Sequence, residues 1–127
     1  MLDQIIAYLT DAGLTVYDTS VSDQPKYPYV LIEAPATRQR HRRTLSGDVL
    51  ERLRLTVTIA GTTPKSVRVV APQVQTLLES YGNAVNVKTR YLNGQSIPVT
   101  MDSDHNRKVF FCVDFYQLTI TGANNAS

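Results

Sequence analysis

One segment of the chain alternates strictly between apolar and polar residues. From Arg52 to Ile59, every second residue is leucine, valine or isoleucine, and the residues between them are arginine or threonine. Successive side chains of a β-strand point to opposite faces, so this period of two predicts a strand with one face on a core. The other face begins with Arg52 and Arg54, and we expect it to meet water or a neighbouring subunit.

Two segments follow the helical period instead. Apolar residues recur at every third or fourth position over 2–12 and again over 64–81, which predicts two amphipathic helices. Gly13 is a good end for the first helix because glycine adopts the left-handed conformation without strain. Thr63 is typical of an N-cap for the second. Pro72 interrupts the second helix on its polar side, so we expect an exposed kink there.

Shorter apolar runs predict the remaining strands. They lie at 14–17, 28–33, 85–91, 95–101 and 109–121. Asn93-Gly94 predicts a two-residue hairpin turn between two of them, because both residues tolerate a positive φ. The order α-β-β-β-α-β-β-β predicts an α+β fold, in which a mixed or antiparallel sheet of about five to six strands carries two helices packed on one face.

The apolar phase changes within the last strand. Apolar residues occupy alternate positions from Phe111 to Phe115, and then alternate positions of the opposite parity from Tyr116 to Ile120. A β-bulge at Phe115 and Tyr116 would re-aim the side chains. Alternatively, a partner chain buries the second half of this strand on its other face.

The segment 34–48 follows neither period and contains a cluster of arginines. Four arginines lie between Arg38 and Arg43, and without them the net charge of +2 would be −2. Long irregular segments in compact domains are usually functional or mobile, and we interpret this one as a long loop or a hairpin. Three roles stay open for the cluster: a solvated loop, contact with an acidic surface of a neighbouring subunit, or sequence-independent contact with nucleic-acid phosphates.

The composition is that of an ordinary globular domain. The chain has 127 residues, of which 43% are hydrophobic and 19% charged, so we expect one domain over 1–127 with a disordered tail at 122–127. No apolar run approaches the ~20 residues needed to cross a bilayer, so we expect no membrane partner. The first residues lack a basic lead and a cleavage site, and we expect no signal peptide.

The sequence offers little material for catalysis. Cys112 is the single cysteine, and because both histidines lie in polar segments we interpret it as a small buried hydrophobe. The run Asp102–Asn106 resembles a calcium loop only faintly, since the glycine and the distal glutamate of that pattern are absent. No phosphate-loop, HExxH or CxxC pattern occurs. We therefore predict a protein that is not an enzyme and has no catalytic residue, cofactor or metal.

A set of soft motifs, taken in order, gives the chain a family resemblance. They are a first helix ending in GLTVYD (13–18), the turn PKYPYV (25–30) leading into a strand, a long polar loop, the alternating strand 52–61, the helix 67–78, a hairpin and the closing segment VDFY (113–116). Over about residues 2–121 this layout resembles the tail terminator (tail completion) proteins of long-tailed bacteriophages, especially those of actinobacterial hosts. Pro72 departs from the uninterrupted helix that the resemblance implies.

The resemblance implies a structural function. Proteins of this kind form a ring, expected to be a hexamer, that caps the head-proximal end of the tail tube, ends tube polymerisation and joins the tail to the head connector. The implied partners are further copies of the chain, the tail tube protein and the head-closure protein, while genome DNA passes through the lumen without specific binding. The implied location is the tail or neck of the virion, assembled in the host cytoplasm.

Within that family frame, we expect the arginine segment to reach an adjacent ring or subunit. The hypothetical interface residues are Arg38, Arg40, His41, Arg42, Arg43, Leu45, Arg52 and Arg54. Two other functions remain as alternatives: a head-closure or connector protein of the same neck region, and a nucleic-acid-binding module that uses the basic loop.

Overall fold

The chain forms two helices and seven strands in the computed structural model. It describes residues 2–22, 25–35, 39–42, 49–85, 87–92, 97–104 and 107–120, and of these the backbone alone at 39–42, 49–51, 97–104, 107–108 and 120. The elements are α1 (Leu2–Asp11), β1 (Val16–Asp18), β2 (Tyr29–Glu33), β3 (Gln39–Arg42), β4 (Val49–Gly61), α2 (Pro64–Ala84), β5 (Lys88–Tyr91), β6 (Ile97–Asp104) and β7 (Arg107–Ile120).

Both helices begin where the sequence predicts, and α1 ends as predicted, but α2 continues past the predicted end at residue 81 to Ala84. Gly13 follows α1 with a φ of 98°, the left-handed conformation that glycine adopts most readily. At the start of α2 the hydroxyl of Thr63 accepts a hydrogen bond of 3.1 Å from the backbone N–H of Ser66, which satisfies one of the free donors of the first turn. The helix continues through Pro72, and this proline is exposed as predicted.

Two long antiparallel strands, β4 and β7, form the centre of the sheet. They pair without interruption from Glu51–Ile120 to Gly61–Phe110. Shorter strands flank them, giving the order β1-β2-β4-β7-β5, with β3 also paired to β4 and β6 also paired to β7. Because β1 is parallel to β2 and the other pairs are antiparallel, the sheet is mixed and the predicted α+β class is confirmed.

Each long strand carries two short strands end to end along its outer edge. Strand β2 pairs with 56–60 of β4, and β3 pairs with 49–52 of the same strand in the same direction. The predicted segment 34–48 is therefore a hairpin arm where it is described, because β3 folds antiparallel onto β4. Residues 36–38 and 43–48 lie outside the described residues.

The predicted hairpin between the fifth and sixth strands is wrong. Both β5 and β6 run antiparallel to β7, β5 along 116–119 and β6 along 107–113. They therefore run in the same direction along one edge and do not face each other. Strand β6 also continues to Asp104, so part of the segment 102–108, which we expected to be a polar loop between the strands 95–101 and 109–121, is strand. Asn93-Gly94 lies outside the described residues.

The β-bulge considered for Phe115 and Tyr116 is also absent. The register of β7 on β4 is continuous through both residues, and the register shift of β7 occurs instead against β6, between Ile97 and Thr100. The change of apolar phase is therefore real: β7 presents apolar side chains on one face first and on the opposite face afterwards.

The core lies between the sheet and the two helices, which pack on the same face. Tyr8 of α1 and Tyr81 of α2 meet edge to face at 5.4 Å, and the Tyr81 hydroxyl bonds to Gln4 at 3.3 Å. The most deeply buried side chains come from both layers: Ile5, Leu9, Val30, Ile32, Leu55, Val57, Ile59, Val67, Val74, Leu78, Tyr116 and Leu118. Each fully buried Leu, Ile or Val contributes about 1.5–3 kcal/mol to stability.

Gly82 fixes how closely α2 approaches β5. A Cβ atom added there would collide with the hydroxyl of Thr89 and the carbonyl oxygen of Val87, and Thr89 itself donates a hydrogen bond to Leu78 O at 3.3 Å. The carbonyl belongs to the backbone and cannot rotate away.

We predict that Gly82→Ala lowers the free energy of unfolding by about 1–3 kcal/mol, the usual cost of overpacking a closed site. Urea denaturation followed by circular dichroism measures the change. Asn83→Ala, at the exposed neighbouring position, is the control and should change stability by less than about 0.5 kcal/mol. Equal stability of Gly82→Ala and the control would contradict this packing.

Candidate interaction surface

The face of the sheet opposite the helices is covered by no described helix or strand. We call it the bare face. Residues that pair directly across strands lie on the same face, so the register defines rows that cross it. From one end to the other these rows are Tyr29–Ala60–Phe111, Leu31–Thr58–Val113, Glu33–Thr56–Phe115, Arg54–Gln117–Arg90 and Arg52–Thr119–Lys88.

One half of the bare face is apolar. Leu31, Phe111, Val113 and Phe115 are half-buried, although none of them packs against the hydrophobic core. Their neighbours in β4 are threonines and an alanine, which add no charge, while Glu33 of β2, at the end of the Phe115 row, is charged and exposed. We call these four side chains the apolar half. A patch of this kind, outside the core, is typical of a surface that meets another molecule.

A tyrosine cluster lies next to the apolar half. The ring of Tyr29 contacts that of Tyr17 at 5.6 Å and that of Tyr27 at 5.4 Å. Burial and the two neighbouring phenols raise the pKa of Tyr29. The hydroxyl of Tyr17 accepts a hydrogen bond of 3.3 Å from the backbone N–H of Lys26. The cluster therefore extends the bare face towards β1 with rings that are half-buried.

The other half of the bare face is basic. Arg52 and Arg54 of β4 and Lys88 and Arg90 of β5 are all exposed. The register places them in two adjacent rows, with Gln117 and Thr119 of β7 between them. We call these four side chains the basic end.

Not all of the predicted interface residues fall within the described part of the chain. Arg52 and Arg54 belong to the basic end, and β3 brings the backbone of Arg40, His41 and Arg42 alongside β4 at 49–51. Arg38, Arg43 and Leu45 lie outside the described residues. The structure thus places β3 at the end of the sheet that carries Arg52 and Arg54, but the register positions of Arg40 and Arg42, opposite Glu51 and Val49, belong to the other face of the sheet.

Sequence analysis missed Lys88 and Arg90, as well as the apolar half. The signal for the first pair was the alternation Lys88–Thr89–Arg90–Tyr91, which places the two cations on one face and the two remaining side chains on the other. The signal for the second was the change of phase in β7, which was interpreted as a bulge or as a covered second half.

A buried polar group lies on the opposite, helix-covered side of β7. Asp114 is 8% exposed, and its carboxylate accepts a hydrogen bond of 3.2 Å from the Tyr91 hydroxyl. The Tyr116 ring packs edge to face on Tyr91 at 5.4 Å, and its buried hydroxyl has no hydrogen-bond partner among the described residues. Burial, followed by the charge of Asp114, raises the pKa of Tyr116.

Cys112 is buried on this same side, as predicted. Burial and the nearby Asp114 charge raise the pKa of its thiol from 9.0 to about 11. At neutral pH the thiol is therefore protonated, whereas a nucleophilic cysteine needs a depressed pKa.

Within the described part of the chain, no three His, Cys, Asp or Glu side chains lie close enough together to hold a metal ion. None of the described helices combines the length and the hydropathy that a bilayer crossing requires.

No family model matches the chain, and no curated protein matches its sequence significantly.

We predict that the protein loses stability between pH 9 and 11. Above the ordinary thiol pKa of 9.0 the unfolded chain deprotonates Cys112, while the folded chain holds the proton until its pKa of about 11. Rising pH therefore favours the unfolded state. Urea denaturation at pH 8 and pH 10.5 measures the loss. Cys112→Ala should lose less over this interval, because only the raised tyrosine pKa values remain; an identical loss in both proteins would contradict the assignment.

Proposed function

We propose that this protein is a tail terminator of a long-tailed bacteriophage. Copies of the chain form a ring, of six in the favoured case, on the head-proximal end of the tail tube. The ring ends tube polymerisation and receives the head connector. The order of the sequence motifs from the first helix to the closing strand supports this proposal, because it resembles the layout of that family; the hairpin in that layout is not present between the described strands β5 and β6, since both pair with β7.

The bare face is the observation that carries the proposal. Single-domain proteins normally cover a sheet on both sides or keep its outer side polar. Here Leu31, Val113 and Phe115 occupy the outer side without contributing to the core. Such a face suits a protein whose work is done by contact with other chains.

Three of the four described edge strands are poorly suited to join subunits. Strands β1, β3 and β5 have only three or four residues, and short edge strands offer few free backbone groups for strand addition. The fourth, β6, has eight residues. A ring requires a heterologous contact, in which two different surfaces of the same chain meet. We therefore assign one side of that contact to the apolar half.

Replacement of Val113 by lysine tests the subunit contact. Val113 lies in the middle of the apolar half, so a charge there would be buried at the interface and left unpaired. We expect Val113→Lys to remain folded and to be monomeric where the unaltered protein forms rings. Native mass spectrometry and negative-stain imaging measure the assembly. Val69→Lys is the matched control, because Val69 is a valine that is 52% exposed on α2, and it should leave the ring intact.

A polymerisation assay with the tube protein tests the capping function separately from ring formation. Purified tube protein that polymerises in the presence of this protein should give tubes of limited length, each capped at one end by a ring. Val113→Lys should allow tubes to grow without limit, and Val69→Lys should not. A monomeric unaltered protein, or tubes whose growth it does not change, would overturn the proposed function. Binding to the portal side alone would point to a head-closure protein.

A further inference from the structure

We propose that the basic end of the bare face binds the phosphodiester backbone of nucleic acid without reading its sequence. The inference goes beyond the proposed function and rests on charges that the fold brings together from two separate parts of the sequence. The basic end joins the cations of β4, which precedes α2 along the chain, to the cations of β5, which follows α2.

The charge of this region exceeds that of the whole protein. The two rows of the basic end hold four basic residues, Arg52 and Arg54 of β4 and Lys88 and Arg90 of β5, and no acidic residue. Their charge is +4, whereas the chain as a whole carries +2. The remaining residues therefore carry −2, and positive charge is concentrated at this end of the bare face.

The four cations of the basic end are free to meet an outside partner. None of Arg52, Arg54, Lys88 and Arg90 forms an ion pair with a described residue, and all four are exposed. Neighbouring strands are about 5 Å apart, and side chains two residues apart on one strand are about 7 Å apart. The cations therefore form a compact grid, with the amide of Gln117 and the hydroxyl of Thr119 between them as additional hydrogen-bonding groups.

A second copy of the chain is a poorer match for this grid. The described exposed acidic residues lie on different elements, such as Asp11 on α1, Asp18 on β1 and Glu79 on α2. Within the described residues, no three acidic side chains lie close enough together to hold a metal ion. Duplex DNA, in contrast, carries one negative charge per ~1.7 Å of its axis, which is the dense and regular charge that a grid of cations can neutralise.

No residue in the two rows of the basic end is aromatic, and Phe115, in the adjacent row, belongs to the apolar half. Tyr91 and Tyr116 lie near the basic end along the chain, but both pack on the helix-covered side with Asp114. Base stacking needs an aromatic ring on the binding surface. Contacts to phosphates alone fix position and carry no sequence information, so the binding is independent of sequence and sensitive to salt.

Fluorescence anisotropy with a labelled 20-base-pair duplex of arbitrary sequence, titrated at several salt concentrations, tests the proposal. The test variant is Arg54→Gln/Arg90→Gln, which removes one cation from each strand of the basic end. The matched control is Lys65→Gln/Arg68→Gln, which removes the same charge from two exposed positions of α2. All three proteins are first compared by thermal denaturation, and neither exposed pair is expected to alter folding.

We expect the test variant to bind the duplex at least about tenfold more weakly than the unaltered protein. The slope of log K against the logarithm of the salt concentration should be smaller in magnitude by about two. The control should bind within about twofold of the unaltered protein, and a duplex of different sequence should bind equally well. Equal losses in both variants, or no binding at 50 mM salt, would overturn the proposal. A test variant that no longer self-associates but binds DNA as well as the unaltered protein would also overturn the proposal, because the basic end then contacts a second copy of the chain.

Native mass spectrometry of the same samples separates this inference from the proposed function. Weakened DNA binding by a test variant that still forms rings supports the inference alone. If the unaltered protein binds DNA but never forms rings, the tail terminator proposal is wrong and the inference about DNA binding still holds.

Discussion

The antiparallel pairing of β4 with β7 is the constraint on which the rest of the structure depends. Because the register is unbroken from Glu51–Ile120 to Gly61–Phe110, each residue of these strands is assigned to one face over the length of the sheet. The helices cover the face that carries Leu55, Val57 and Leu118. The same pairing leaves the opposite face bare, so the core and the candidate surface are set by a single interaction.

The bare face combines two kinds of chemistry along one direction. Its apolar half can gain free energy by excluding water against another protein, at about 25 cal/mol per Å² of apolar area buried. Its basic end can neutralise a polyanion, which is a longer-ranged and salt-dependent attraction. Short strands flank both long strands end to end, which lets β5 add Lys88 and Arg90 to the basic end while β2 contributes Leu31 to the apolar half.

Local patterns predicted the elements but not all of their pairings. Both helices were predictable because each has a complete apolar stripe and a recognisable boundary, Thr63 for α2 and Gly13 for α1. Asn93-Gly94 led us to predict a hairpin between β5 and β6, which is wrong. Both strands pair with β7, which is longer and lies along one edge of both. Only half of the basic end was predictable from the sequence. Lys88 comes close to Arg52 because both residues pair with Thr119 of β7, and no spacing along the chain indicates this.

The central claim is that the bare face is where this protein meets other molecules. Hydroxyl-radical footprinting tests it directly, because Phe110 and Phe111 are adjacent in the chain and lie on opposite faces of β7. We expect oxidation of Phe111 and Phe115 to fall several-fold when the isolated chain assembles, while Phe110, which packs against the core, is oxidised to the same extent in both states. Assembly that leaves Phe111 and Phe115 as reactive as in the isolated chain would contradict the account.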